Sequence, residues 1–250
     1  MTTEQFYSQY GEDKILNSIF RGKRDGVCVE VGGFDGITGS NSYFFEKLGW
    51  RCLVVEPMPD FCSRIRKVRA CELAETAVSD KDGEAVFYVA QGAETLSTME
   101  TAPDHFARIS NEGADVKKTT VKTRKLDEVL RDHRFDRMDF ISIDVEGHEL
   151  AVLNGFSVDK FRPRIILLED NFSGRDRSIT RYLKRYGYVR FKRTGCNDWY
   201  AHCEDKDLLS GLDVFKTELQ VLFVIGYSGI KSLAKAVLPA GLRARLRGRK

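Results

Sequence analysis

Acidic side chains that follow short apolar runs are the residues of this sequence best suited to chemistry. In the first group, Glu30-Val-Gly-Gly-Phe-Asp-Gly36, two acids alternate with three glycines at the end of an apolar run. Glycines between a strand and a helix let the backbone approach a ligand closely and leave amide groups free to bind it. The spacing differs from the GxGxxG of a pyrophosphate binder, and the two carboxylates would repel phosphate but attract a cation. A glycine-rich turn that binds nothing is the alternative interpretation.

A second acid, Glu56, ends the next apolar run, 26 positions after Glu30. An acid about 20 residues past the first strand of a nucleotide-binding fold can accept both hydroxyls of an adenosine ribose. S-adenosylmethionine combines this adenosine with an ammonium and a sulfonium, so the acidic loop favours it over NAD. An exposed acid before the turn residue Pro57 is the alternative for Glu56.

A third group, Asp144-Val-Glu-Gly-His-Glu149, follows another apolar run. If the chain stays extended there, Asp144, Glu146 and His148 share one face; if a helix begins at Glu146, they do not. Asp144 would hold an ammonium or orient a substrate hydroxyl. His148, with an ordinary pKa of about 6.5, would serve as a general base. A solvent-facing position in the first turn of a helix is the alternative for His148.

A fourth group, Glu169-Asp-Asn171, ends a further apolar run. Together with Asp144 and Glu146, Glu169 offers the carboxylate oxygens that Mg²⁺ prefers in proteins. Carboxylates at neighbouring strand ends suit substrate hydroxyls equally well. The sequence therefore leaves a metal site of Asp144, Glu146 and Glu169 as one of two interpretations.

The elements that must position these residues are short apolar strands alternating with helical segments. This order predicts an α/β fold in which helices cover both faces of a mostly parallel sheet, with the ligand-facing edge at the carboxyl ends of the strands. Residues 91–118 form a polar insert to which the sequence assigns no structure. The predicted strands are 27–31, 52–55, 74–78, 85–89, 138–143, 163–168, 188–192 and 197–202. The predicted helices are 8–21, 40–48, 60–68, 126–130, 149–153 and 178–186.

Composition restricts the class of protein and its compartment. The 250 residues are 42% hydrophobic and 31% charged, which excludes disorder and a small disulfide scaffold and favours one α/β domain with an appendage. The six cysteines form no CxxC pair, and neither a secretory signal nor a run long enough to span a membrane is present. We therefore expect a cytoplasmic protein, or a peripheral one at the inner face of a membrane.

Charge is distributed unevenly along the chain. Residues 231–250 contain seven basic and no acidic side chains, so the formal net charge of +3 becomes −4 for residues 1–230. A mildly acidic body disfavours nucleic acid as a partner. Residues 219–230 are apolar, and apolar area next to a basic segment is typical of contact with an anionic membrane surface, here through residues 219–250. A helix packed on the domain with a solvated basic segment is the alternative.

Together these segments resemble the FkbM family of S-adenosylmethionine-dependent methyltransferases. The similar segments lie in the family's order over roughly residues 8–203. They are Ser8–Asp13, Val29–Gly36, Ser40–Ser42, Leu48–Trp50, Val55–Pro57, Ile143–Gly147 with Glu149, and Glu169. Two departures are small: Gly33 stands where the family often has Ala, and Ser42 where Thr is common.

The resemblance implies a class I methyltransferase fold, Rossmann-like with a seven-stranded sheet, and methyl transfer to a hydroxyl of a sugar, glycan, glycolipid or polyketide. It divides the chain into a methyltransferase domain at 1–205 and an amphipathic, basic extension at 206–250. The cofactor contacts would be Glu30, Gly32, Gly33, Asp35, Gly36, Glu56 and Asp144. The family pattern does not fix the catalytic base, for which the candidate catalytic residues remain Asp144, Glu146 and His148. A catalytically silent cofactor-binding or membrane-surface protein on the same fold is the alternative function.

Overall fold

A computed structural model describes residues 4–99, 103–171, 177–209 and 214–223. The strands are β1 (Val27–Val31), β2 (Arg51–Val55), β3 (Glu72–Ala74), β4 (Ala77–Val78), β5 (Gly83–Gln91), β6 (Asp115–Arg124), β7 (Phe140–Ile143), β8 (Ile165–Glu169), β9 (Tyr188–Thr194) and β10 (Asn197–His202). The helices are α1 (Glu12–Phe20), α2 (Tyr43–Lys47), α3 (Pro59–Val68), α4 (Pro103–Asn111), α5 (Leu126–Asp132), α6 (Glu149–Asn154), α7 (Val158–Phe161) and α8 (Ser178–Lys184). A 3₁₀ helix spans Glu94–Leu96, and residues 214–223 are also helical.

The main sheet has seven strands in the order β3-β2-β1-β7-β8-β10-β9. All neighbours pair in parallel except β10, which is antiparallel to both β8 and β9. Every residue of β1, β7 and β8 is buried, because helices cover both faces of the sheet. The predicted Rossmann-like fold with a mostly parallel seven-stranded sheet is confirmed.

Alternating side chains of the central strands divide the core into two layers. In β1, Val29 packs with α5, α6, α7 and α8 in one cluster, whereas Cys28 packs with α1 and α2 in the other. This alternation is the ordinary consequence of the two-residue period of a strand. Because β2, β1, β7 and β8 pair in parallel, their carboxyl ends meet at one edge of the sheet.

The insert at residues 91–118 and the predicted strand 74–78 differ from the sequence-based expectation. The predicted strand 74–78 is divided between β3 in the main sheet and β4 in a second sheet of order β4-β6-β5. Residues 91–118 contain the end of β5, the 3₁₀ helix, α4 and the start of β6. β6 was not recognisable as a strand because most of its residues are exposed, so it lacks apolar alternation.

The predicted extension at 206–250 is only partly within the described residues. In the helical segment 214–223, Thr217 Oγ1 donates to the carbonyl oxygen of Phe191 at 2.8 Å, which attaches the segment to β9. Residues 224–250, which carry most of the predicted membrane contact, lie outside the described residues. In the described ranges, no helix has both the length and the apolarity needed to cross a membrane.

Candidate functional site

A cavity of about 640 Å³ lies at the carboxyl edge of the main sheet. The segments after β1, β2, β7 and β8 form one part of its wall. Another part is formed by β4, β5 and residues 94–99. These last residues belong to the segment between β5 and β6, residues 92–114, which we call the excursion. The strand ends that carry the acidic groups of the sequence therefore surround one cavity, as expected for a doubly wound sheet.

Gly32 allows the loop after β1 to pack against the end of β7. Its φ is +94°, and a Cβ there would lie 1.9 Å from the carbonyl oxygen of Asp144. Gly33 is equally confined, since a Cβ would lie 2.4 Å from Val54 Cγ1. Both glycines line the cavity. They bring the loop and the strand ends together at the cavity, while the predicted approach of this loop to a ligand stays a prediction.

Glu30 lies at the cavity wall, but its carboxylate is bound by the protein. The Ser40 and Ser42 hydroxyls donate to Oε2 at 2.7 and 2.5 Å, and the Asn41 amide donates to Oε1 at 2.6 Å. The buried guanidinium of Arg69 adds an ion pair at 3.2 Å. Glu30 therefore fastens the segment before α2 to β1.

Asp35 and Gly36 shape the same loop from outside the cavity. Asp35 Oδ1 accepts from the backbone amides of Ile37 and Thr38 at 2.9 and 2.7 Å, and Thr38 Oγ1 donates to Oδ2. Desolvation opposes ionisation of Asp35, but these hydrogen bonds outweigh it and lower its pKa. Gly36 has a φ of +87° and packs against Ile65. Neither residue lines the cavity, so both act on the loop conformation.

Glu56 at the end of β2 faces the cavity beside the glycine loop. Its Oε2 accepts from the Phe34 amide at 3.0 Å, and its Oε1 accepts from the Met58 amide at 2.9 Å. Burial raises the pKa of Glu56 to about 7, although the hydrogen bonds lower it. A carboxylate has about four lone-pair sites, so Glu56 keeps the capacity to accept a ligand hydroxyl.

Asp144, Glu146 and Glu169 form a carboxylate cluster whose oxygens lie within 4.8 Å of one another. Asp144 is open to the cavity, whereas Glu146 and Glu169 are buried. Desolvation, followed by the charge of Asp144, raises the pKa of Glu146 to about 8 and that of Glu169 well above its ordinary value. Arg108 Nη1 lies 3.1 Å from Glu146, and Asn171 Nδ2 donates to both glutamates at 3.1 and 2.6 Å. Among the described residues, these three acids therefore share one paired cation, Arg108, and their crowding favours the protonated forms.

The turn after β7 decides which residues of the third acidic group meet. Glu146 has a φ of +54°, so the chain is neither extended nor helical there. His148 lies at the start of α6, its Nε2 is 3.0 Å from Ser79 Oγ, and it does not line the cavity. Glu149 holds the turn by accepting from the amides of Val145 and Gly147. Asp144 and Glu146 therefore share the cavity, and His148 lies apart.

Two cavity residues were missed by sequence reasoning. Arg108 lay in the insert to which the sequence assigned no structure. Asn41 belongs to the segment Ser40–Ser42, which was noticed only for its resemblance to a family. Its Nδ2 donates to Ser142 Oγ at 2.9 Å, and its buried Oδ1 has no donor among the described residues. No single-sequence signal marks either role, because both depend on contacts between distant segments.

Comparison with known proteins adds a family match. The methyltransferase FkbM domain matches residues 30–190. No match to the chain was found among curated proteins. The matched range contains all four acidic groups that surround the cavity.

Solved structures similar to the chain include three methyltransferases. A precorrin-6y C5,15-methyltransferase from Geobacter metallireducens is 14% identical, with 80% of this chain and 90% of that one covered and a TM-score of 0.39. A putative RNA methyltransferase from Pyrococcus horikoshii is 9% identical, with coverages of 78% and 81% and a TM-score of 0.39. An O-methyltransferase from Bacillus cereus in complex with S-adenosylhomocysteine is 12% identical, with coverages of 79% and 81% and a TM-score of 0.37.

Proposed function

The chain belongs to the FkbM family of S-adenosylmethionine-dependent methyltransferases, and from this premise we propose that it methylates a hydroxyl oxygen of a sugar, glycan, glycolipid or polyketide-type acceptor. The observation that carries the proposal is the carboxylate cluster of Asp144, Glu146 and Glu169 in the cavity that also contains Glu56. Carboxylates accept hydrogen bonds from hydroxyl groups and take up their protons.

The residues of the cavity fit S-adenosylmethionine. Glu56 retains acceptor capacity for the ribose hydroxyls. Asn41 also lines the cavity, and its buried Oδ1 accepts from no donor in the part of the chain that the structure describes. Asp144 offers a carboxylate to the ammonium. In this proposal Glu30 acts indirectly, because its oxygens already hold the loop in place. S-adenosylmethionine, when bound, supplies a methyl group activated by its sulfonium.

Asp144 and Glu146 have separate tasks in the proposed reaction. Asp144 faces the cavity and would hold the ammonium of the cofactor there. The acceptor hydroxyl donates its hydrogen bond to Glu146, and this contact orients the oxygen for in-line attack on the methyl carbon as the carbon–sulfur bond breaks. The hydroxyl proton passes to Glu146. A pKa of about 8 suits this role, because a base with a pKa near the working pH is both available and strong. The products are a methyl ether and S-adenosylhomocysteine.

The three carboxylates are also the donor set for Mg²⁺ that the sequence suggested. Their oxygen chemistry fits the ion. However, Arg108 and Asn171 already donate to Glu146 and partly offset its charge. We therefore propose a reaction that needs no metal ion, and the acceptor assay compares added Mg²⁺ with a chelator.

Calorimetry with the intact protein is the first test of the proposal. We expect S-adenosylmethionine and S-adenosylhomocysteine to bind and NAD not to bind. An acceptor panel of sugars, glycolipids and polyketides, with and without Mg²⁺, is then scored for methyl ethers by mass spectrometry. Binding of NAD in place of the other two ligands would contradict the cofactor. Cofactor binding without turnover of any acceptor would favour the catalytically silent alternative.

We also propose peripheral contact with an anionic membrane through residues 219–250. Within the helical segment 214–223, Phe215, Leu219 and Leu222 are 60%, 48% and 52% exposed and share one face. Residues 231–250 contain seven basic side chains and no acidic ones. Co-sedimentation of the full chain with vesicles rich in phosphatidylserine tests this, with phosphatidylcholine vesicles as control. Exchange of the arginines in 243–249 for glutamine should abolish sedimentation; unchanged sedimentation would exclude the basic segment as the contact.

A further inference from the structure

The excursion between β5 and β6 contacts the carboxylate cluster through one side chain of α4, Arg108. Its Nη1 lies 3.1 Å from Glu146 Oε2, and both residues line the cavity. The Arg108 side chain is 39% exposed and that of Glu146 is 10% exposed. The pair is therefore partly withdrawn from water. A charge-assisted hydrogen bond in such a partly buried position is stronger than one at an open surface.

The same excursion also holds the backbone of Glu146. Thr98 is fully buried, and its Oγ1 donates to the Glu146 carbonyl oxygen at 2.9 Å. Thr98 is itself fixed to β5 by two backbone hydrogen bonds with Tyr88, at 2.8 and 3.0 Å. Glu146 has the positive φ of +54° that non-glycine residues seldom adopt. Contacts from outside its own turn thus hold both the backbone and the carboxylate of Glu146.

Charges of both signs act on the Glu146 carboxylate. Asp144 and Glu149 from its own turn and Glu169 from β8 favour the protonated form by repulsion. Arg108 from α4 acts in the opposite direction, by attraction and by its hydrogen bond. Asn171 donates a neutral hydrogen bond at 3.1 Å. A base must be ionised and correctly directed before it can take a proton. Arg108 favours the ionised form by its charge and directs the carboxylate, because its Nη1 lies 3.1 Å from Oε2.

We propose that Arg108 is a positioning residue whose contact with Oε2 holds the Glu146 carboxylate in the direction needed to receive the proton of the acceptor. The proposal rests on the assignment of Glu146 as the general base. Arg108 touches neither the reacting oxygen nor the methyl group in this scheme and acts through Glu146. A lysine there would keep the charge but lose the planar guanidinium geometry.

Direct titration of Glu146 tests the proposal without any acceptor. The protein is labelled with glutamate that carries ¹³C at the carboxyl carbon, and the Glu146 signal is assigned by its loss in Glu146→Gln. In Arg108→Met, we expect the titration midpoint of Glu146 to rise by about one pH unit or more, because the attracting charge is gone. Arg108→Lys should restore part of the shift. Arg124→Met, which removes a surface ion pair with Asp132, is the matched control and should change nothing.

A double-mutant cycle on methyl transfer completes the test, with the first hydroxyl compound of the acceptor panel that is turned over. Arg108→Met should slow turnover about tenfold in the wild-type background and should have no further effect in Glu146→Gln. The role of Arg108 would be overturned if Arg108→Met left the titration midpoint of Glu146 unshifted. It would also be overturned if Arg108→Met slowed turnover equally in the wild-type and Glu146→Gln backgrounds, even though methyl transfer is observed. Full turnover by Glu146→Gln would instead refute the proposed base, and the role of Arg108 with it.

Discussion

The acids at one edge of the sheet have opposite surroundings near β1 and near β7 and β8. Near β1, Glu30 is compensated by Arg69 and by three donors of the segment before α2. Near β7 and β8, Asp144, Glu146 and Glu169 crowd one another, and their pKa values are raised. The difference teaches that acids in similar sequence contexts divide into structural and chemical ones according to the donors they meet. Compensated acids build the loop, and crowded acids remain available for a ligand.

Arg69→Leu should produce the largest effect, because it removes the buried cation that compensates Glu30. The side chain of Arg69 is fully buried and pairs with Glu30 and Glu46. Its removal leaves buried charge unpaired, which typically costs about 3–5 kcal/mol of the free energy of unfolding. Urea unfolding monitored by circular dichroism measures this loss. Arg66→Leu in the last turn of α3, where the pair with Glu75 is half-exposed, should cost less than about 1 kcal/mol. Equal losses for the two variants would contradict the comparison.

Glu146→Gln should have the next largest effect and should act on turnover. The variant keeps the shape of the side chain but cannot accept the acceptor proton, so we expect kcat to fall about 10²-fold. Affinity for S-adenosylhomocysteine, measured by calorimetry, should stay near that of the wild type. If Asp144→Asn loses turnover while Glu146→Gln retains it, the proton goes to Asp144 and the division of tasks in the crowded group is wrong.

Glu169→Gln should give a smaller effect, visible in the pH dependence of stability. Desolvation and the neighbouring acids raise the pKa of Glu169 above its ordinary value of 4.5. Between that value and the raised pKa, the folded chain holds a proton that the unfolded chain has released, so stability falls as pH rises. Over that pH range, the free energy of unfolding of Glu169→Gln should fall less than that of the wild type, by about 1.4 kcal/mol for each pH unit.

Urea unfolding at about pH 5.5 and about pH 8.5 measures this difference. Glu204→Gln is the control, since the side chain of Glu204 is 76% exposed. An identical pH dependence in the wild type and in Glu169→Gln would show that the crowded group is compensated after all. Such a result would remove the contrast between the two groups of acids.

The sequence predicts most of the fold and only part of the site. Strands such as β1 and β8 are predictable because burial on both faces makes them almost continuous apolar runs, interrupted only by Glu30 and Glu169. β6 is not predictable from the sequence, since polar residues on both of its faces leave no alternation of apolar and polar positions. The compensation of Glu30 escaped prediction for a different reason. Its partner Arg69 is 39 positions away, and such a contact becomes visible only when the chain has folded.

His148→Ala should have the smallest effect and decides how the third acidic group is interpreted. The left-handed backbone at Glu146 directs the chain into α6, so that the imidazole lies beside Ser79 and outside the cavity. Loss of a side chain there should change kcat by less than about twofold, in line with substitutions away from a site. Ser79→Ala, which removes the partner hydroxyl, is the matched control. A loss of about 10²-fold confined to His148→Ala would place a base outside the crowded group, and Glu146 would then no longer be needed to take the proton.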